Sequence, residues 1–200
     1  MKLTPHHLLN AYCQGVFPMA DGAEGEIAWY TADPRAIQPF REDDALGSFR
    51  VRRSLAKIIR KGEFVTHTDC AFDDVIAACA EPRGEANGVW INDEIKRLYA
   101  ELHRMGFAHS VETYRDDRLV GGLYGVSIGS AFFGESMFSR EPFASQVAYV
   151  GLIERLRKQG YRLLDVQFVN PHLQQFGVVE VDGERYLELL ESAIDQRAAW

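Results

Sequence analysis

The chain has 200 residues, of which 46% are apolar, and its formal net charge is −7. This composition suits one compact hydrophobic core with a small appendage, and the acidic balance argues against bulk affinity for nucleic acid while leaving local basic patches open. The sequence has no apolar run of the ~18 residues that a membrane span needs, and residues 1–10 lack the pattern of a signal peptide, so we expect a cytoplasmic protein. Cys13, Cys70 and Cys79 form no CxxC pair and have no histidine at metal-ligand spacing, which supports neither a disulfide framework nor a zinc site.

The first part of the chain, residues 1–41, is rich in glycine, proline and aromatic residues and has no long periodicity. It predicts a small N-terminal lobe, which begins with a short helix that Thr4 caps and Pro5 starts and that ends at Gly15. Two segments that combine aromatic residues with proline follow in this lobe. Such segments are usually packed loops, but they also form platforms on which a nucleobase can stack. Both interpretations stay open at this point.

A basic segment without acidic residues runs from Arg50 to Lys61. On a helix that begins at Ser54 and ends at Gly62, the apolar residues fall on one side and the basic residues on the other. The cationic side holds Arg53, Lys57, Arg60 and Lys61. A surface helix that only faces water would look the same, so phosphate binding is the second of two possibilities here.

From residue 64 onward the patterns alternate between strand and helix. We predict strands over 64–68, 108–115, 118–126, 130–136, 163–168 and 178–181, and helices over 71–80, from the Asn92 cap to Gly106, over 144–159 and 172–176, and from Glu184. Strands that pair around one long central helix suggest an α+β fold with a GNAT-like N-acyltransferase sheet. The predicted organisation is a small lobe over 1–41 and a GNAT-like catalytic domain over 42–200.

The hairpin over 119–136 contains the first candidate site. Four glycines lie in or beside its strands, at positions 121, 122, 125 and 134. Glycine weakens a strand unless something approaches its backbone closely, so these positions indicate a ligand across the hairpin, or else a bulge or barrel corner with no ligand. Glu135 favours a site, because a carboxylate among phenylalanine and methionine neighbours is costly unless it is paired or used.

A second candidate lies in the strand over 163–168, where the period of two places Asp165 and Gln167 on one face. An edge strand facing water is the alternative. Asn170 and His172 follow at the strand end, where sheets of this kind commonly bind ligands, although His172 could simply begin a helix. Because a polar residue at a strand end carries little packing, we expect Asp165→Ala to leave the fold intact and to lower activity strongly, and Gln167→Ala to lower it likewise.

The sequence resembles a known family over nearly its whole length and in the same order. The motifs are Tyr12-x-x-Gly15-x-Phe17-Pro18, Trp29 with Asp33-Pro34-Arg35, Trp90-Ile91, Ala108-His109-Ser110-Val111-Glu112, Gly121-Gly122-Leu123-Tyr124-Gly125-Val126, Gly134-Glu135-Ser136-Met137-Phe138-Ser139-Arg140 and Leu164-Asp165-x-Gln167. They resemble those of the bacterial leucyl/phenylalanyl-tRNA-protein transferases. The resemblance implies transfer of Leu or Phe, with Met as a further candidate, from aminoacyl-tRNA to the N-terminal Arg or Lys of acceptor proteins, which marks those proteins for degradation. It also implies a two-lobed fold whose larger lobe is GNAT-like.

The resemblance also implies roles for individual residues. The family's proposed proton-handling pair corresponds to Asp165 and Gln167, its nearby Asn to Asn170, and the acidic residue of its substrate cleft to Glu135. The pocket for the transferred side chain would be lined by Leu123, Phe132, Met137, Leu152 and Leu156, with Trp90 close by. Met19 stands where some members have a Trp that stacks on the terminal adenine. Gln146 stands where members commonly have Lys, which removes one candidate phosphate contact.

An aminoacyl ester is already activated, so the implied reaction needs neither cofactor nor metal and mainly requires a positioned, neutral amine. We therefore expect Gln167 to orient the amine and Asp165 to act electrostatically or as proton acceptor. An acyl-CoA-dependent N-acetyltransferase is one alternative, but the junction over 139–146 lacks the glycine-rich loop that would hold a pyrophosphate. A non-catalytic tRNA-binding module is another, and it would leave Asp165 and Gln167 without a role.

Overall fold

The computed structural model describes residues 3–22, 25–42, 44–82 and 90–200. Its helices are α1 (Pro5–Tyr12), α2 (Arg53–Lys61), α3 (Phe72–Cys79), α4 (Asp93–Arg104), α5 (Ala144–Lys158), α6 (Pro171–Gln174) and α7 (Gly183–Ile194). Its strands are β1 (Phe17–Ala20), β2 (Ile27–Tyr30), β3 (Arg35–Ile37), β4 (Val65–Thr68), β5 (Ala108–Arg115), β6 (Arg118–Ile128), β7 (Ala131–Ser139), β8 (Leu163–Gln167) and β9 (Val179–Val181). Among these helices, none combines the length and the apolar character that crossing a membrane requires.

The strands form a two-stranded sheet, β1-β2, and a seven-stranded mixed sheet in the order β4-β5-β6-β7-β8-β3-β9. The α+β class is therefore confirmed, as are the helices and strands predicted from residue 64 onward, within a few residues at their ends. The three strands β1 to β3 were not predicted, because segments of three or four residues are too short to show an alternating pattern. The strand β3, from the end of the predicted small lobe, lies inside the larger sheet between β8 and β9. The division at residue 41 stays a prediction.

One pair of strands in the larger sheet is parallel. The strands β7 and β8 pair only from Ala131 with Leu163 to Phe133 with Asp165. Beyond that point β7 continues to Ser139 beside β6, whereas β8 ends at Gln167 beside β3. The two strands therefore separate in the middle of the sheet and leave room between them.

The sheet separates two apolar layers. Side chains alternate between its faces, so that Phe133 and Leu163 join one layer and Phe132 and Leu164 join the other. The first layer packs against α1, α3, α4 and α7, and the second packs against α2 and α5. Buried Cys79 belongs to the first layer, as its phase with the neighbouring apolar residues predicts.

Local signals in the sequence account for several boundaries. Asn92 Oδ1 accepts a hydrogen bond from the Ile95 amide at 2.9 Å and begins α4, which satisfies a donor that the helix cannot satisfy itself. Gly62 ends α2 with a φ of 68°, a left-handed conformation that glycine adopts without strain.

Three of the four hairpin glycines are required by close packing, and the fourth is not. A Cβ at Gly121 would lie 2.6 Å from Ala144 Cβ, at the start of α5, and one at Gly125 would lie 2.3 Å from the Phe133 carbonyl oxygen. A Cβ at Gly122 would meet the Val111 oxygen at 3.0 Å. Packing of the protein itself therefore explains why these three positions are glycine, and no ligand is needed to explain them. Gly134 has ordinary space around it and lies beside an open cleft.

Candidate active site

A cleft of about 790 Å³ opens where β7 and β8 separate. Residues of β6, β7, β8, α5 and α6 line it, together with the end of α3 and the residues that follow it. Its apolar lining includes Leu123, Met137, Tyr149, Leu152 and Val166, and its polar lining includes Glu135, Ser136, Ser139, Gln146 and Asn170. Such a mixed cleft suits a ligand with both an apolar and a polar part.

The predicted pocket residues divide between this cleft and the core. Leu123, Met137 and Leu152 line the cleft. Phe132 and Leu156 are fully buried in the layer under α5 and do not line the cleft in the described part of the chain. The Phe132 ring stacks on Trp200 with centroids 5.2 Å apart. These two residues support the wall from behind.

Met19 and Trp90 lie together in another region. Met19 is in β1, opposite Ala28, and the Trp90 carbonyl oxygen accepts a hydrogen bond from the Ala20 amide at 3.1 Å. Both side chains are partly buried against the layer that contains α1 and α4. Neither is among the described residues that line the cleft, so their predicted contact with the substrate is untested by this geometry.

Asp165 is completely buried and accepts four hydrogen bonds. Arg35 binds it through two nitrogens, Nε to Oδ1 at 2.9 Å and Nη2 to Oδ2 at 2.6 Å. Tyr186 donates to Oδ2 at 2.7 Å, and the Gln167 amide donates to Oδ1 at 2.9 Å. Four donors therefore fix the position and the orientation of this carboxylate.

Arg35 is equally enclosed. Its Nη1 donates to the Gly15 carbonyl oxygen at 2.9 Å, and its guanidinium lies between the rings of Phe17 and Tyr186, 4.7 and 4.5 Å from their centroids. Burial alone would lower the pKa of Arg35, but the hydrogen bond and charge of Asp165 raise it above its ordinary value. The pair therefore joins β3 to β8 across 130 residues of sequence.

The geometry contradicts the assumption behind the expectation that Asp165→Ala leaves the fold intact. That expectation assumed that a polar residue at a strand end carries little packing. Asp165 is instead the partner of a buried guanidinium, and removal of one member of a buried ion pair leaves an uncompensated charge in the interior.

Gln167 ends β8 in a strained conformation that the strand pattern does not predict. Its φ is 58°, in the left-handed region that residues with a side chain rarely adopt. One terminal atom of its side-chain amide lies 2.9 Å from the Gly134 carbonyl oxygen, and the amide nitrogen in that position can donate to this oxygen. Gln167 thus lies beside β7 at the point where the two strands separate. It is buried, and neither it nor Asp165 is among the described residues that line the cleft.

Glu135 lies beside this point and is aimed by a β-bulge. Opposite β6, Gly134 pairs with Gly125 and Ser136 pairs with Tyr124, so that Glu135 is the extra residue of β7. Tyr12 donates to its Oε1 at 2.7 Å and Tyr99 donates to its Oε2 at 3.0 Å. The two tyrosine hydroxyls also bond to each other. Helices α1 and α4 thereby hold one carboxyl group at the edge of the cleft.

This environment changes the acidity of Glu135. The pKa of Glu135 is raised from 4.5 to about 7, mainly by burial. The hydrogen bonds from Tyr12 and Tyr99 lower this pKa, the negative charge of Asp165 raises it, and the positive charge of Arg35 lowers it. Burial and the nearby carboxylate also raise the pKa of Tyr12 and of Tyr99 well above 10, so both remain protonated donors. Glu135 is therefore a carboxyl group near the middle of its titration at neutral pH.

Asn170 has a structural role that the sequence left open. Its Oδ1 accepts a hydrogen bond from the Leu173 amide at 2.8 Å and so caps α6. The residue also lines the cleft. Both roles are compatible, because the cap fixes the direction of the side chain at the cleft wall.

The helix α2 has the predicted two faces. Leu55 is buried, and Ile58 and Ile59 are partly buried. The basic residues are exposed, and they are Arg53, Lys57, Arg60 and Lys61. Lys61 pairs with Glu63 at 3.3 Å, with both side chains about half exposed, which leaves the pair weak in water.

A cluster of Asp69, His103 and His109 could offer metal ligands, but its hydrogen bonds already account for its geometry. His109 Nδ1 lies 2.8 Å from Asp69 Oδ2, and its Nε2 lies 3.1 Å from the Gly106 carbonyl oxygen. His103 Nδ1 bonds to the Ala108 carbonyl oxygen at 2.8 Å. The cluster lies outside the residues that line the cleft, and it holds the start of α3 to β5.

Sequence comparison relates the chain to a known family. The family model described as leucyl/phenylalanyl-tRNA protein transferase matches residues 45–191, and the model of that family's N-terminal domain matches residues 1–33. Proteins named leucyl/phenylalanyl-tRNA–protein transferase are similar over most of this chain. The one from Rhizorhabdus wittichii is 50% identical and aligns with 96% of this chain and 75% of its own length. Those from Chlorobaculum parvum and Chlorobaculum tepidum are 46% and 44% identical, with 95% and 96% of this chain and 95% and 96% of their own lengths aligned.

Two solved structures that superpose on this chain are only distantly similar to it. L-PGS from Bacillus licheniformis is 10% identical and superposes over 96% of this chain and 71% of its own with a TM-score of 0.47. The C-terminal domain of a putative lysylphosphatidylglycerol synthetase from Agrobacterium fabrum is 11% identical, with 84% of this chain and 53% of that chain covered and a TM-score of 0.42. Similarity at this level assigns neither a fold nor a ligand.

Proposed function

We propose a specific reaction for this chain, which belongs to the leucyl/phenylalanyl-tRNA–protein transferase family and is an aminoacyltransferase. It moves Leu or Phe from aminoacyl-tRNA to the α-amine of acceptor proteins that begin with Arg or Lys. The observation that carries the proposal is the cleft between β7 and β8, where an apolar wall meets Glu135 and the strand end that carries Gln167. The product would mark the acceptor for degradation, and the reaction would take place in the cytoplasm.

The division of the cleft suits the two substrates. Leu123, Met137 and Leu152 offer an apolar wall for the transferred side chain, which gains free energy by leaving water. The acceptor amine would lie at the polar end, where Gln167 orients it. Asp165 acts through Gln167, because it fixes the backbone of that residue by accepting its amide hydrogen bond. Positioning supplies the main part of the rate enhancement in this account.

We further propose that the larger sheet is GNAT-like. In support, it contains a central parallel pair that separates after three paired residues and has the long helix α5 next to the opening. Ligands of α/β-type sheets commonly bind where neighbouring strands diverge. In this proposal the aminoacylated end of the tRNA enters the cleft between β7 and β8, and the acceptor amine approaches the ester carbon within the same cleft.

The exposed basic face of α2 is the candidate contact for tRNA phosphates. Replacing Arg53, Lys57 and Arg60 together by Ala should raise the KM for aminoacyl-tRNA and lower its salt dependence, by about 0.7–0.9 of a slope unit for each phosphate that the protein no longer binds. An aminoacyl-adenosine too short to reach the helix should react as before. Transfer rates at several salt concentrations measure both effects.

A matched control removes the same charge elsewhere, with Arg104, Arg118 and Arg185 replaced by Ala on α4, β6 and α7. All three side chains are exposed, and we expect a smaller change in the salt dependence. Equal losses with the tRNA and with the short mimic would instead indicate that α2 supports the fold.

Met137 should limit which amino acid enters the cleft. It is partly exposed and lies opposite Leu123, so Met137→Ala removes volume from the wall without opening the core. One methylene in an apolar pocket is worth about 1–3 kcal/mol, and we expect the variant to accept bulkier or β-branched residues up to ~10²-fold better relative to Leu. Transfer rates with a set of aminoacyl-tRNAs measure this ratio. Unchanged specificity would place Met137 away from the cargo.

One assay separates the proposed transferase from its alternatives. The protein is incubated with a peptide that begins with Arg, and with Leu-tRNA, acetyl-CoA or uncharged tRNA. The proposal predicts that leucine moves to the peptide. Acetylation would indicate an acyl-CoA-dependent enzyme, and tRNA binding without any transfer would indicate a binding module.

A further inference from the structure

We propose that Glu135 is the catalytic proton acceptor for the incoming α-amine, while Asp165 is a positioning residue that the reaction does not protonate. This inference rests on the proposed function, because it concerns the amine that attacks the aminoacyl ester. It differs from the expectation drawn from the sequence, which allowed Asp165 to accept the proton and gave Glu135 only a role in substrate binding.

The hydrogen bonds of Asp165 argue against a role as base. Both of its oxygens already accept two hydrogen bonds each, from Arg35, Tyr186 and the Gln167 amide. The side chain has no exposed surface, so an amine cannot reach it without displacing one of these donors. The four donors leave no position on this carboxylate from which the amine could be bound.

Glu135 has the complementary properties. It is partly exposed and lines the cleft, and each of its oxygens accepts one tyrosine hydrogen bond, which leaves further lone pairs for an amine. The bulge directs it away from the regular alternation of β7. The side-chain amide of Gln167 lies 2.9 Å from the carbonyl oxygen of Gly134, the residue before Glu135, so an amine oriented by Gln167 would lie next to Glu135.

The charged and titratable groups around Glu135 come from five elements. They are Tyr12 of α1, Tyr99 of α4, Tyr124 of β6, Asp165 of β8 and Arg35 of β3. The three tyrosines are fully buried and stay neutral. Burial is the dominant influence, and it brings the pKa of Glu135 to about 7, close to the operating pH of a cytosolic base.

The proposed reaction moves two protons and exchanges the ester bond for an amide bond. The acceptor enters as an ammonium group and gives one proton to the Glu135 carboxylate, and its nitrogen lone pair then attacks the carbonyl carbon of the ester. The new carbon–nitrogen bond forms, the bond from that carbon to the ribose oxygen breaks, and a second proton moves from the nitrogen to this leaving oxygen. Glu135 finally returns its proton to water.

The test is the pH dependence of kcat/KM for an Arg-initiated peptide with Leu-tRNA. Below pH 7 the wild-type rate should rise with a slope of about one and level off near pH 7, because the acceptor enters as an ammonium group and only Glu135 must be ionised beforehand. Glu135→Gln should lower the rate at pH 7 by ~10²-fold or more, and its rate should keep rising to about pH 8, because the amine, whose pKa is near ~8, must then lose its proton to water. Tyr99→Phe removes a hydrogen bond that lowers the pKa of Glu135, so it should move the wild-type inflection to higher pH.

A second nucleophile distinguishes a base from a binding group. With a peptide that carries an aminooxy group in place of its α-amine, the nucleophile is already neutral at pH 7, and the defect of Glu135→Gln should shrink to below ~10-fold. The control Glu154→Gln, at an exposed position of α5, should behave as wild type. An inflection that stays near pH 7 in Glu135→Gln, with a raised KM for both nucleophiles, would overturn the proposal and make Glu135 a binding residue. If wild type itself transfers no leucine, the proposed function fails instead.

Equilibrium unfolding checks Glu135 without activity. Because its pKa is about 7 in the folded chain against 4.5 when exposed, the folded protein binds more protons between these values, and wild-type stability should fall as pH rises through this range. Glu135→Gln should lack this loss, so the variant should gain stability relative to wild type from pH 4 to pH 8. A difference that does not change with pH would contradict the raised pKa.

Discussion

Replacement of Asp165 by Ala is expected to lower the free energy of unfolding by about 3–5 kcal/mol. The variant leaves Arg35 without its carboxylate in a site where the guanidinium has no exposed surface. A domain of this size has a total stability of only about 5–15 kcal/mol, so the loss is a large fraction of it. Denaturant unfolding of the two proteins measures the difference directly.

Two further variants make this prediction specific to the pair. Arg35→Met should also destabilise the chain, and the combination of Arg35→Met with Asp165→Ala should cost less than the sum of the two, because no buried charge remains unpaired. Glu188→Ala is the matched control, since it breaks an exposed pair with Arg185 and should cost at most about 1 kcal/mol. Equal stability of Asp165→Ala and wild type would show that Arg35 finds another partner or water.

Gln167→Gly is expected to lower the transfer rate by ~10²-fold while stability stays within about 1 kcal/mol of wild type. The rate falls because the amine loses the amide that orients it. Stability stays within this range because glycine adopts the φ of 58° without the ~1–2 kcal/mol that a side chain costs there. This gain offsets the greater freedom of glycine in the unfolded chain and most of the ~1 kcal/mol lost with the side-chain contact to the Gly134 carbonyl oxygen. Single-turnover transfer and denaturant unfolding are measured on the same preparation.

A companion variant separates the side chain from the backbone. Gln167→Ala removes the amide but keeps the strained conformation, so it should lose the same activity and be less stable than Gln167→Gly. If both variants transfer leucine at near the wild-type rate, Gln167 has no part in the reaction and the strain at this position has another cause.

Much of the fold was predictable from local patterns. The hairpin, the central helix α5 and the two-faced helix α2 follow from periods of two and 3.6 residues and from caps such as Asn92. These elements carry their own signal because each buries one face, and the alternation does not depend on which neighbour covers that face. The strands β1 to β3 carry no such signal, since each has only three or four residues.

The site was predictable only in part. Asp165, Gln167 and Glu135 stand out as polar residues in apolar strands, but their partners are distant in sequence. Arg35 lies 130 residues from Asp165, and Tyr12 lies 123 residues from Glu135. One signal could have found Arg35: a buried acid needs a cation, and Arg35 is followed by the apolar residues Ala36 and Ile37. Nothing local marks Tyr12 or Tyr99 as more than core aromatics.

Under the proposed function, an amino acid passes directly from tRNA to an α-amine in the cleft between β7 and β8. Excess protein is mixed with Leu-tRNA that carries isotope-labelled leucine and with a peptide that begins with Arg. A second sample contains the same peptide with an acetylated N-terminus, and mass spectrometry detects where the label is. We expect leucine on the α-amine of the free peptide, none on the acetylated peptide, and no label on the protein when peptide is omitted. Leucine on the acetylated peptide, a labelled protein, or no transfer at all would contradict the account.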